Sequence, residues 1–271
     1  MTDSDDLAAI AATEIQRLQR LGAIGDQGTA GPDEATPALA QGTAAAPMWS
    51  AGRWLGAVSK PANPGRVGGS ITPWAVVIHT TDMLPEEWDA LVTAWTERAS
   101  DGACAHFLIG RDASDGVVQF VPIFRNANHA GGPGHGVFDT AAAKGIHPNL
   151  VSVGIELHCA GGVRLIQGQW RLVEDGVAHG LPLPASDVTP DPQRPGRGWH
   201  NVTPYQLERL GALRADLELV LAPLPAGAVS RSTVEAVPSW GAPKSARTVG
   251  HVSLDPANRS DPWPPTMAML R

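Results

Sequence analysis

The chain has 271 residues, 43% of them hydrophobic and 17% charged, and its 20 Lys and Arg against 27 Asp and Glu give a formal charge of −7. That length suits one globular domain of about 200 residues with an appendage, and no run approaches the ~18 apolar residues of a membrane span. The acidic balance argues against broad adhesion to nucleic acid phosphates or to an anionic membrane surface, while 30 Gly and 24 Pro forecast long loops.

The start, Met1-Thr2-Asp3-Ser4-Asp5-Asp6, is acidic where a secretory leader is basic, so the expectation is a chain made in the cytoplasm without a signal peptide. Leu7, Ile10, Ala11, Ile15, Leu18 and Leu21 recur at three- and four-residue spacing behind Ser4, which predicts an amphipathic helix stopped by Gly22. Gly25–Pro47 has the composition of a linker. The predicted division is a helical arm over 1–24, a flexible linker over 25–60 and a main domain over 61–271. Seven acids and two bases fall in residues 1–48, so most of the surplus charge belongs to the arm.

In the main domain, Trp74–Ile78 reads as a strand buried on both faces and ending at His79. Leu84–Ser100 reads as a helix, with Pro85 in its first turn and Trp88, Leu91, Val92 and Trp95 on one face. His106–Ile109 and Val117–Val121 flank the turn Arg111–Gly116 as a hairpin, and Val151–Leu157 is a further strand. Ala160–Asn201, rich in Gly, Pro and Asp, reads as a long loop insertion. Thr203-Pro204-Tyr205-Gln206 is a capping box ahead of a helix whose stripe is Leu207, Leu210, Leu213, Leu217 and Leu221. Strands mixed with two long helices predict an α/β fold. Cys104 and Cys159 lie far apart and read as buried thiols.

Nine histidines are present, and three positions stand out for chemistry. His79 ends a core strand; His251 and Asp261 lie in a run of turn-formers from Gly250 to Pro262. Two imidazoles and a carboxylate would leave a fourth tetrahedral position for water, as at a catalytic zinc, although a strand-end His is more often simply packed. Alternation puts Gly154, Glu156 and His158 on one face of their strand. A glutamate in so apolar a strand is paired or functional, or else the strand is an edge with one solvated face. His158 is the best competitor as an extra ligand, with packing the plainer reading. His135, His147, His179 and His200 lie in loops and are expected to be solvated.

Six segments then follow in order: Val76–Thr81, Ala105–Asp112, His129-Ala130-Gly131, Ser152–Glu156, the capped helix at Thr203–Leu221, and Gly250-His251 through Asp261-Pro262. The series resembles the zinc-dependent N-acetylmuramoyl-L-alanine amidases of the type-2 amidase and peptidoglycan-recognition-protein family, over roughly residues 70–270. The resemblance implies a central mixed β-sheet flanked by helices, with zinc in a surface groove. It implies His79, His251 and Asp261 as metal ligands and Glu156 as the group that handles the proton of the attacking water. Arg259 falls where the bacterial branch usually has a lysine at the oxyanion; Pro256-Ala257-Asn258 departs from that branch's Pro-Gly-Arg. Thr80, His106 and His129 match positions lining or supporting the groove.

The implied reaction is hydrolysis of the amide between N-acetylmuramic acid and L-alanine, with peptidoglycan or a muropeptide as substrate. A leaderless chain with an acidic arm, and Trp49 and Trp54 ahead of its domain, fits a lytic enzyme carried to the periplasm or wall by other machinery. Phage endolysins and injected antibacterial effectors are of that kind, and a delivery or immunity partner goes with them. A cytosolic enzyme recycling anhydro-muropeptides, and a non-catalytic peptidoglycan-binding module, are the alternatives.

Overall fold

The computed structural model describes residues 48–97, 102–130, 146–174, 176–226 and 248–250. Within them the chain forms β1 (Trp49–Ser50), β2 (Arg53–Trp54), β3 (Val58–Ser59), β4 (Val67–Ser70), β5 (Ala75–Thr80), α1 (Trp88–Glu97), β6 (Phe107–Ile109), β7 (Val117–Gln119) and β8 (Arg125–Ala127). There follow β9 (Ser152–Leu157), β10 (Gly162–Ile166), β11 (Gln169–Glu174), β12 (Val177–Leu183), β13 (Val188–Pro190), β14 (Arg197–His200), α2 (Pro204–Glu218) and β15 (Thr248–Gly250). The predicted arm helix lies outside the described residues. Among the described residues no helix is long and apolar enough to cross a membrane.

The centre is a six-stranded mixed sheet in the order β15-β5-β9-β6-β7-β3. β5 is buried at every residue and β9 at all but Glu156, which explains their near-continuous apolar sequences. Val76, Ile78, Val153, Ile155 and Leu157 face α2, which contributes Leu210, Leu213 and Leu217. The other face meets α1 through Leu91, Val92 and Trp95, packed with Leu108, Val118 and Phe120. Each such side chain, fully buried, is worth about 1.5–3 kcal/mol, and together they make the mixed α/β architecture expected from the sequence.

The capping box forms as predicted, with Thr203 Oγ1 accepting the Gln206 N–H at 3.1 Å and Gln206 Oε1 accepting the Thr203 N–H at 3.0 Å. Gln206 does more than cap. Its buried Nε2 donates to Ile109 O at 3.2 Å and His158 O at 3.1 Å, which ties α2 to the ends of β6 and β9.

Two sequence expectations are corrected. Residues 48–60 belong to the fold rather than to a linker: Trp49 and Trp54 are buried in the main core, and β3 closes one edge of the central sheet. Both indole N–H groups are satisfied by Asp216 of α2, Trp49 through its carbonyl at 3.1 Å and Trp54 through Oδ2 at 2.6 Å. The 160–201 insertion is a five-stranded antiparallel sheet, β12-β11-β10-β14-β13, not a loop. Its Gly residues punctuate hairpins: Gln167 and Gly168, at φ 50° and 77°, make the two-residue turn between β10 and β11. The sheet packs Val163, Trp170, Leu183 and Val188 onto Leu84 and Ala160.

His200, expected to be solvated, is buried in this junction, where its Nδ1 accepts the Ala160 N–H at 3.0 Å. Burial pushes its pKa down from 6.5 to about 3. Cys104 and Cys159 are free and buried, and burial raises both thiols to about 12.

Replacing Gln206 by Glu sets an acceptor against the carbonyls of Ile109 and His158; unfolding in urea should show a loss of roughly 2–5 kcal/mol. Between pH about 6.5 and 3 the unfolded chain binds a proton at His200 that the folded chain refuses, so stability falls with pH through that window. His200→Asn keeps an acceptor for Ala160 and removes the titration. Urea midpoints between pH 7 and 4 should then decline less steeply than in the parent; an equal slope would contradict this account.

Candidate functional site

β5 and β9 run parallel with His79 directly opposite Glu156. Direct partners share a face, so the imidazole and the carboxylate stand side by side at the C-terminal ends of two core strands. Ligand sites in open α/β sheets favour such strand ends. His79 is 1% exposed, and its Nε2 lies 3.1 Å from His129 Nδ1, the rings meeting edge to face at 82°.

His129 and His106 continue the cluster along the same face. A Cβ on Gly154 would collide with the His129 ring, so only glycine allows that ring to lie on β9. His129 Nε2 is 3.4 Å from both Ser152 O and Ser152 Oγ, and the Ser152 hydroxyl itself donates to Pro148 O at 2.7 Å. The backbone of His129-Ala130 is pinned by Asn149 Oδ1, which accepts both N–H groups at 3.2 and 2.8 Å. Asn149 was invisible as a site residue in sequence, since Pro148-Asn149-Leu150 carries only a turn signal and its contact is 20 residues away.

His106 is fully buried between two backbone partners. Nδ1 accepts the Gly154 N–H at 3.0 Å and Nε2–H donates to Arg125 O at 2.9 Å. Burial holds its pKa at about 4, so the ring is neutral and its tautomer is fixed. Both ring nitrogens of His106 thus serve the backbone. His129, 6% exposed, packs on His79.

The period of two in β5 turns Thr80 to the face opposite His79, where its hydroxyl donates to Asp82 Oδ1 at 3.2 Å. Asp82 has φ 52° and lies against Gly161, so the chain leaves β5 through a tight, left-handed residue. His158 is buried with Nε2 donating to Pro85 O at 3.2 Å, Nδ1 3.4 Å from Thr81 Oγ1, and Trp88 against its ring. That is a packed histidine, and burial lowers its pKa.

His251, Arg259 and Asp261 lie outside the described residues. β15 pairs with β5 in parallel and ends at Gly250, opposite Ile78, so the chain is delivered to within one residue of the His79 level just before position 251. Among the described residues no three His, Cys, Asp or Glu converge as a metal set. What is present fits zinc by donor chemistry: a buried imidazole with a carboxylate beside it and a second imidazole orienting it.

The N-acetylmuramoyl-L-alanine amidase family model matches residues 69–264. Among solved structures, an AmpD derivative is 20% identical, with 81% of this chain and 97% of that chain covered and a TM-score of 0.45. AmpDh3 from Pseudomonas aeruginosa is 18% identical, with 74% and 61% covered and a TM-score of 0.42. AmiD from E. coli, in complex with the substrate anhydro-N-acetylmuramic acid-L-Ala-D-gamma-Glu-L-Lys, is 18% identical, with 72% and 54% covered and a TM-score of 0.40. No curated protein matches the chain. The family match spans well over half of the sequence and takes in β5, β9, α2 and β15, and the chain belongs to the N-acetylmuramoyl-L-alanine amidase family.

Proposed function

We propose that the chain is a zinc-dependent peptidoglycan hydrolase that cuts the amide between N-acetylmuramic acid and L-alanine, with His79, His251 and Asp261 holding the metal. The observation that carries this reading is the in-register pair His79 and Glu156 at the ends of β5 and β9. Lewis acidity is what the metal supplies when bound, acidifying water and polarising the amide carbonyl.

The chain's own residues prepare that site. His129 Nδ1 stands 3.1 Å from His79 Nε2 and its own Nε2 lies 3.4 Å from Ser152 O, so His129 orients the His79 ring. Glu156, opposite His79, takes the proton of the attacking water on its carboxylate and passes it to the L-alanine nitrogen as the amide breaks. Arg259 supplies a fixed positive charge to the developing oxyanion.

The biological setting we propose is lytic: a phage endolysin or an injected antibacterial effector, made in the cytoplasm and acting in the periplasm or on the wall after delivery. The support is the sequence of residues 1–47, which is acidic and has linker composition beyond Gly22. Trp49 and Trp54 no longer contribute to this reading, because they belong to the core. A delivery or immunity partner would act on the arm or on the groove.

Glu156→Gln should keep bound zinc, measured by metal analysis, while release of peptide from purified peptidoglycan falls by roughly 10²–10⁴-fold. Near-parental release by that variant would sink the assignment. Removing residues 1–47 should leave digestion of purified sacculi unchanged if the arm serves delivery. A collapse of that activity would place the arm in the enzyme itself.

A further inference from the structure

The insertion sheet lays three arginines side by side. β10 pairs with β11 through Arg164 and Arg171, and with β14 through Arg164 and Arg197. Direct partners in antiparallel strands share a face with Cβ atoms about 4.5–5.5 Å apart, and like charges so placed destabilise a sheet. Among the described residues no carboxylate offsets them: the ion pairs join Arg194 to Asp191 and Arg209 to Glu208. Arg171 is steadied by neutral acceptors, Gly180 O at 3.0 Å and Gln169 Oε1 at 2.9 Å, while Arg164 and Arg197 are exposed. Residues 160–201 hold four arginines and four acids, so the row reflects placement and not composition.

Two residues from Arg197 on the same face stands Trp199, half-buried, with the Arg194 guanidinium 5.5 Å from its ring centre. Gly162, directly opposite Trp199, leaves open space where a side chain would stand. The face therefore gathers forked cations beside Trp199.

We propose that this face binds the free carboxylates of stem peptides on polymeric peptidoglycan and holds the enzyme on the wall, apart from the bond-cutting site. The proposal rests on the amidase reading above for its choice of polymer. Guanidinium forks match carboxylates two bonds at a time. A cross-linked polymer engages several arginines at once where a soluble fragment engages one, so the gain is one of avidity. In an acidic chain such contact concentrates where the local field is reversed. The like-charge row is a cost to the sheet that binding explains.

The test uses the full chain loaded with zinc, sacculi freed of phosphate polymers by acid extraction, and a soluble muropeptide. The parent should pellet with the sacculi in a salt-sensitive manner. The triple variant Arg164→Gln, Arg171→Gln, Arg197→Gln should lose pelleting by tenfold or more and turn over the soluble muropeptide within twofold of the parent. Arg164→Glu, which sets a carboxylate between Arg171 and Arg197, should raise Tm and still lose pelleting, which separates binding from folding. Parental pelleting by the triple variant overturns the proposal. Pelleting that requires the phosphate polymers also overturns it, in favour of a phosphate-binding face. A parent that pellets through the row yet cuts neither substrate sinks the amidase reading and leaves the wall-binding face standing.

Discussion

The pairing of β5 with β9 sets the rest of the site, because a slip of one residue would send His79 and Glu156 to opposite faces of the sheet. Apolar burial enforces that register. Val76, Ile78, Val153 and Ile155 bury against α2, and the alternate positions hold Ala75, Val77 and Gly154 against the other layer. The chemistry thus stands at the end of an apolar ladder whose burial energy is large beside the cost of seating one imidazole and one carboxylate. α2 is locked to the same strand ends by Gln206, so the helix cannot shift without breaking two buried hydrogen bonds near the site.

The histidines divide by what their nitrogens do. His106 and His200 are held neutral by burial and spend their lone pairs on backbone N–H groups of β9 and of the segment that follows it. They shape the sheet and its junction with the insertion. His129 sits between these roles, lying on Gly154 and meeting His79 nitrogen to nitrogen.

Legibility in sequence followed length and periodicity. β5, β9, the β6–β7 hairpin and the capping box at Thr203 all carried local signals, and the structure forms each of them. β1, β2 and β3 are two residues each, too short for any period, and what buries Trp49 and Trp54 is Asp216 and the core far along the chain. The insertion strands hid behind arginines and turn-formers, since half of each strand faces outward and its glycines mark hairpins. At the site, Glu156 was legible because a lone acid in an apolar strand is conspicuous. Asn149 and the His129–Ser152 contact depend on tertiary approach and left no local trace.

β15 lies beside β5 with Thr248 opposite Val76, so an outer strand of the central sheet comes from far along the sequence. Pairings of such long sequence separation carry a heavy loop-closure cost and form late in folding. Any polypeptide interrupted before residue 248 lacks that strand altogether. During synthesis, therefore, the earlier strands and α2 can collapse while the wall of the site beside His79 is still missing. For the amidase site this sets an order of assembly: the strand that flanks β5 joins the sheet only after the rest of its strands have been made.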